Sequence, residues 1–156
     1  MEREIDLSVV IVYYEKYSYD DVTTLYNDYK NSLEKTGLNF EFIYVVDGKL
    51  PDVIDTVGKI YESGEKIKLI KLGKWFGDAT ALQVGFEQSS GNLILTLPSY
   101  KQVDENDIPK LIDSLKNKDM VVSWRFPRLD GWLNNLQSNV FNKIIKLIVG
   151  SNFHDM

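Results

Sequence analysis

The chain alternates short apolar runs with longer amphipathic ones. Leu7 to Tyr13 is a near-continuous apolar, β-branched run, the signature of a strand covered on both faces. Ser18, with Asp21 three residues on, reads as a helix start. Val22, Leu25, Tyr26, Tyr29 and Leu33 then recur with helical spacing up to Gly37. The unit repeats. Phe40 to Val46 predicts a second strand ending in Asp47-Gly48, and Pro51 opens a helix through Val53, Ile54, Val57, Ile60 and Tyr61 that Gly64 stops. Ile67 to Leu72 predicts a third strand. The helix from about Asp78 carries Ala81, Leu82, Gly85 and Phe86, and Gly91 closes it. Leu93 to Leu97 is a fourth strand. Asp104 to Asn106 caps a helix with Ile108, Pro109, Leu111, Ile112 and Leu115, which leads to a fifth strand at Met120 to Trp124. A last helix carries Leu136, Val140, Phe141, Ile144, Ile145 and Ile148 and ends near Gly150.

Strands joined by helices, with no hairpin-length connections, predict an α/β fold: a mostly parallel, Rossmann-like sheet with helices on both faces. With 156 residues, 44% apolar and 26% charged, one globular domain over 1–156 is the expectation. In such sheets ligands bind at the carboxyl ends of the strands. That directs attention to Tyr14 and Glu15, Asp47, the Gly73 to Asp78 loop, Pro98 to Gln102, and Arg125.

Charge and composition narrow the classes. Eighteen basic against 23 acidic residues give a net charge of -5, which argues against nucleic-acid backbone binding. There is no cysteine and a single histidine, so thiolate and His-rich metal centres are excluded. No apolar stretch reaches the roughly 18 to 20 residues that span a bilayer, and the acidic start does not read as a signal peptide. A cytoplasmic domain is the expectation, with peripheral contact at the inner membrane face left open.

Each candidate site has two readings. Asp47-Gly48 suits a tight turn, or a strand-edge carboxylate that accepts a hydrogen bond from a base or ribose. Lys74-Trp75-Phe76-Gly77-Asp78 is a loop with Asp78 as helix cap, or a helix amino end that favours an anion. Arg125 and Arg128 suit bidentate phosphate contacts or surface ion pairs. Asp104, Glu105 and Asp107 read as a helix start before they read as a metal cluster. His154 beside Asp155 reads as solvated terminus, and Trp132 suits either an acceptor or the core.

Taken in order, these segments resemble the family 2 glycosyltransferases, of GT-A fold, and most of all the branch of dolichyl-phosphate mannose synthase and other polyprenyl-phosphate sugar transferases. The opening Leu7-Ser8-Val9-Val10-Ile11 through Tyr14-Glu15 is similar to the family's, with Val12 at its usual proline. Phe42 to Gly48 resembles the strand ending in two aspartates and glycine, with Val46 at the first aspartate. Leu72 to Gly85 resembles the donor-site loop and its helix, with Trp75 at the usual Asn and Asp78 at the usual Lys. Val121 to Arg125 with Arg128, then Ser138, Phe141-Asn142, Gly150 and Asp155, resemble the stretch before the acceptor half.

The resemblance implies a nucleotide-sugar-binding domain, with a uridine or guanosine diphosphate sugar as donor and a polyprenyl phosphate or glycan as acceptor. Tyr14, Glu15, Asp47, Lys74, Trp75, Asp78, Tyr100 and Lys101 are the implied donor-binding residues, and Arg125 and Arg128 the implied catalytic cations. A magnesium or manganese ion is usual in the family, held by a DxD pair after the fourth strand. Here Leu97-Pro98-Ser99-Tyr100-Lys101-Gln102 replaces both carboxylates, so no metal ligand is assigned and the motif is degenerate. Lys101, Arg125 and Arg128 are the expected substitutes as fixed positive charge. The loss leaves a non-catalytic binding or assembly module as the alternative, and a signalling or dinucleotide-binding domain as a third class, though the glycine fingerprint of the latter is absent. The chain stops where the family continues into its acceptor half, which predicts truncation before that half.

Overall fold

A computed structural model describes residues 4–123; the final helix read from Leu136 to Ile148, Trp132, His154, Asp155, Arg125 and Arg128 lie outside the described residues. The chain divides into two compact units, Met1–Asp113 and Ser114–Met156, where the sequence reads as one domain throughout.

In the first unit the elements run β1 (Leu7–Tyr14), α1 (Val22–Glu34), β2 (Phe40–Asp47), α2 (Pro51–Glu62), β3 (Ile67–Leu72), α3 (Asp78–Glu87) and β4 (Leu93–Leu97). A 3₁₀ turn, Glu105–Asp107, leads into α4 (Ile108–Asp113). The four strands form one parallel sheet in the order β3-β2-β1-β4, so the α/β, Rossmann-like expectation holds.

Period-two alternation along the strands builds two cores. Leu7, Val9, Ile11 and Tyr13 of β1 face one side with Phe42, Tyr44 and Val46 of β2, and Val22, Leu25, Tyr29 and Leu33 of α1 cover them together with Val53 and Val57 of α2 and Ile108 of α4. The alternate residues Val10, Val12, Ile43 and Val45 face the other side, against Ala81 of α3. Helix α3 lies close to the sheet because Gly85 has no side chain: a Cβ there would sit 2.5 Å from Val10 Cγ1.

Three sequence expectations are corrected. Asp21, not Ser18, caps α1: its carboxylate accepts from Thr24 N at 2.8 Å and from Thr24 Oγ1 at 2.8 Å. Gly91 does not close α3, which ends at Glu87 with Gln88 as C-cap. Its role is close approach, since a Cβ there would lie 2.6 Å from Ser8 N. Met120 to Ser123, the described part of the expected fifth strand, is not in strand conformation and pairs with no strand among the described residues, and Met120 and Val122 are exposed, lacking the apolar cover a central strand needs. In the second unit, Lys118 N donates to Leu115 O at 2.9 Å around Asn117, whose φ is 60°.

Candidate functional site

The strand order reverses between β1 and β4, because β2 and β3 lie on one side of β1 and β4 on the other. At such a switch point the loops leaving adjacent strands diverge and open a crevice at their carboxyl ends. A cleft of about 750 Å³ occupies this place, walled by Val12 and Tyr14 of β1, Tyr17 to Asp20 of the following loop, Asp78 and Leu82 of α3, and Leu97 to Lys101 at the end of β4.

Two loops frame the cleft, and a different device holds each. Beyond β2, Asp47 is fully buried, with Oδ1 accepting from Phe76 N at 2.8 Å and Oδ2 from Gly77 N at 2.8 Å. One carboxylate thereby satisfies two backbone N–H groups at the amino end of α3, where negative charge is also favoured by the helix dipole. Gly77 adopts φ 94°, a conformation that favours glycine. Next to it Gly48, at φ 113°, leaves room for Glu15, whose Cβ a side chain at Gly48 would approach to 2.6 Å. Glu15 Oε2 accepts from Lys49 N at 3.1 Å, and Glu15 N donates to Asp47 O at 3.1 Å.

On the β4 side, Asp20 brackets Tyr100. Its N–H donates to Ser99 O at 2.9 Å and its carboxylate accepts from Lys101 N at 2.6 Å. Tyr29 Oη donates to Pro98 O at 3.1 Å. The loop therefore has a fixed shape, with Tyr100 presented at its tip and 46% exposed.

Of the residues singled out in the sequence, Tyr14, Asp78, Tyr100 and Lys101 line the cleft. Asp47 is corrected from a ligand-facing carboxylate to a positioning residue, since it has no exposed surface and both oxygens are occupied by the α3 amino end. Lys101, the expected replacement cation, stands on the cleft wall but has acidic neighbours outside it. Its ammonium turns to Asp28 at 3.6 Å and Glu105 at 3.5 Å, and Glu105 first, then Asp28, raises its pKa above the ordinary lysine value. Glu15, Lys74 and Trp75 stand outside the cleft wall on the neighbouring loops, with Lys16 Nζ 3.7 Å from the Trp75 ring centroid and Lys74 Nζ 5.1 Å from that of Phe76.

Pro98 and Ser99, in the loop the sequence points to, line the cleft as well, and so do Tyr17, Ser18, Tyr19, Asp20 and Leu82, which the sequence reading does not name as site residues. For Tyr17 to Asp20 the signal was available, as they follow directly on the first strand. Burial, then Asp78, Asp47 and Tyr17, pushes the Tyr14 hydroxyl up to about 12, so it is a neutral donor at ordinary pH.

The residues at the position of the family's carboxylate pair do not fit a magnesium or manganese ion. Pro98 has no side-chain oxygen, its carbonyl accepts from Tyr29, and the Ser99 carbonyl accepts from Asp20. Asp20 and Asp78 reach the cleft, but among the described residues no three acidic or histidine side chains gather closely enough to hold a metal.

Residues 8–155 match the family model described as glycosyl transferase family 2. The chain is 32% identical over 120 residues to a dodecaprenyl-phosphate galacturonate synthase of Rhizobium johnstonii, an alignment covering 74% of this chain and 36% of that protein. It is 27% identical over 152 residues to an undecaprenyl-phosphate 4-deoxy-4-formamido-L-arabinose transferase of Aeromonas hydrophila, covering 96% of this chain and 46% of the relative. The chain thus spans less than half the length of these curated relatives.

Proposed function

The chain belongs to glycosyl transferase family 2, and from that premise we propose that it binds a uridine or guanosine diphosphate sugar and delivers the sugar to a polyprenyl phosphate, or to a glycan, at the membrane's cytoplasmic face. The observation that carries this reading is the cleft at the β1/β4 switch point, whose wall includes four tyrosines, two serines and two aspartates. A mostly apolar, tyrosine-rich wall with a few hydroxyls and carboxylates suits the flat base and the hydroxyl-bearing ring of a nucleoside or sugar. A phosphate acceptor is already an anion, so the reaction asks for no strong general base. The relatives' names, which pair a sugar with a polyprenyl phosphate, support the acceptor class.

Titrating the chain with uridine and guanosine diphosphates, with and without manganese, tests the donor site. Saturable binding to one of them is expected, weakened by Asp20→Ala, which releases the Tyr100 loop. Absence of binding to either nucleotide would remove the reading.

A second reading, a catalytically silent relative that keeps the fold as a binding or assembly module, is favoured by one observation. Lys101 is the sole lysine or arginine on the described cleft wall, and its charge is already spent on Asp28 and Glu105. Stabilising a leaving diphosphate then falls to Arg125 and Arg128. Arg125→Ala and Arg128→Ala distinguish the two: loss of sugar transfer with nucleotide binding retained supports an enzyme, and no transfer from the parent chain in its full-length context supports the module.

A further inference from the structure

The carboxyl rim of the sheet carries a second feature beside the cleft. Trp75 and Phe76 project from the loop between β3 and α3, 40% and 50% exposed. Large apolar side chains at the tip of a loop that a buried carboxylate holds rigid are not there for packing, since the loop's shape is already set by Asp47.

Two lysines stand against these rings, and a third lies on the adjacent loop. Lys16 stands over Trp75 and Lys74 over Phe76, and Lys49 follows the end of β2. All three are exposed, and among the described residues none of them makes an ion pair. At the opposite end of the sheet the lysines are committed: Lys68 to Glu41 at 3.0 Å, Lys30 to Glu65 at 2.5 Å, and Lys66 to Asn39 Oδ1 at 2.6 Å. The acids on this part of the rim are Asp47, buried beneath the loop and bonded to Phe76 N and Gly77 N, Glu15, which accepts from Lys49 N, and Asp78, which faces the cleft. In a chain of net charge -5, Lys16 and Lys74 thus offer exposed cations beside two exposed rings, with no carboxylate paired to either among the described residues.

We infer that Trp75 and Phe76, flanked by Lys16 and Lys74 and with Lys49 on the adjacent loop, form a docking surface for an anionic lipid bilayer, which sets the cleft against the headgroup layer. An indole and a phenyl ring partition into the interfacial zone, where apolar and polar surroundings meet. Lysines attract acidic headgroups within a Debye length, and each alone is weak, so rings and charges act together. The inference extends the lipid-acceptor reading, because a surface that brings the cleft to the bilayer gives it access to a lipid-borne phosphate.

Sedimentation of the whole chain with vesicles of phosphatidylglycerol and phosphatidylcholine, against vesicles of phosphatidylcholine alone, tests it. Binding to the acidic vesicles is expected, reduced about tenfold by combining Trp75→Ser with Phe76→Ser, weakened as salt rises from about 0.05 M to about 0.5 M, and unchanged by Tyr61→Ser on α2. Lys16→Gln with Lys74→Gln, both surface changes, is expected to erase the preference for acidic vesicles without moving the thermal midpoint. Equal binding to both vesicle types, or a loss with Tyr61→Ser as large as with the ring pair, would overturn the surface. The nucleotide titration on the same samples separates the two ideas. A chain that binds nucleotide but no vesicle loses the docking surface alone, and one that binds vesicle but no nucleotide keeps it and loses the donor site.

Discussion

The two ends of β2 solve the same problem with the same group and reach different outcomes. Near its start, Glu41 accepts from Ser90 N at 2.8 Å and Ser8 Oγ at 2.8 Å, and pairs with Lys68 at 3.0 Å. At its end, Asp47 accepts from Phe76 and Gly77. Both carboxylates are buried, and between them they fix the two ends of α3. The sheet's amino end is sealed, with Gly91 pressed on the β1 backbone and Ser8 Oγ accepting from Gly91 N at 2.9 Å. The carboxyl ends of the strands are left open, and the cleft lies there. A buried carboxylate is thus no marker of a reactive site in this fold; what distinguishes the functional end is what surrounds it.

The sharpest way to break this comparison is Asp47→Ala. It strands two N–H groups inside the protein, and the expected cost is about 4 kcal/mol in urea denaturation, with nucleotide binding lost because the α3 amino end drifts. A variant that loses binding at unchanged stability would instead make Asp47 a ligand contact. Gly91→Ala is expected to cost about 3 kcal/mol, since its Cβ meets backbone that has no easy escape, while nucleotide affinity in the folded fraction stays the same.

Glu41→Gln is expected to cost about 2 kcal/mol at neutral pH and also to change the acid limb of stability. Burial alone would raise the Glu41 pKa, but the Ser90 N–H, the Ser8 hydroxyl and Lys68 together hold it below the usual 4.5. A carboxyl whose pKa is lower in the folded chain adds stability above its unfolded pKa and loses it as pH falls through the folded one. The parent should therefore weaken from about pH 4.5 downward, and Glu41→Gln should flatten that slope in urea midpoints taken across pH. The smallest effect is expected for Lys101→Met: nucleotide affinity within about twofold of the parent, because its partners are Asp28 and Glu105. A tenfold loss would return Lys101 to the donor site.

Where the pattern is local, the sequence was readable. Val22, Leu25, Tyr26, Tyr29 and Leu33 share a helical face, and all five are buried. The parallel sheet followed from β-branched runs separated by helices. Asp47 misled because its partners, Phe76 and Gly77, lie 29 and 30 residues away, and no spacing rule joins a strand end to a later loop. Lys101 was half legible: Glu105 stands four residues on, whereas Asp28 arrives only through the packing of α1. The fifth strand failed as short apolar runs do, because Met120 to Ser123 has the composition of a strand and, among the described residues, no neighbour to pair with.

Strand β1 pairs with β2 over a short separation in the chain and with β4 over a long one, Leu7 lying beside Phe40 on one edge and Leu93 on the other. During synthesis the β1–β2–β3 half can zip up as it emerges, while the gap beside β1 waits for residues some 86 positions later. The crevice beside β1 can thus form only after β4 has emerged. A nascent or clipped chain ending before β4 would expose the flank of its own central strand, a template for unwanted pairing until β4 arrives.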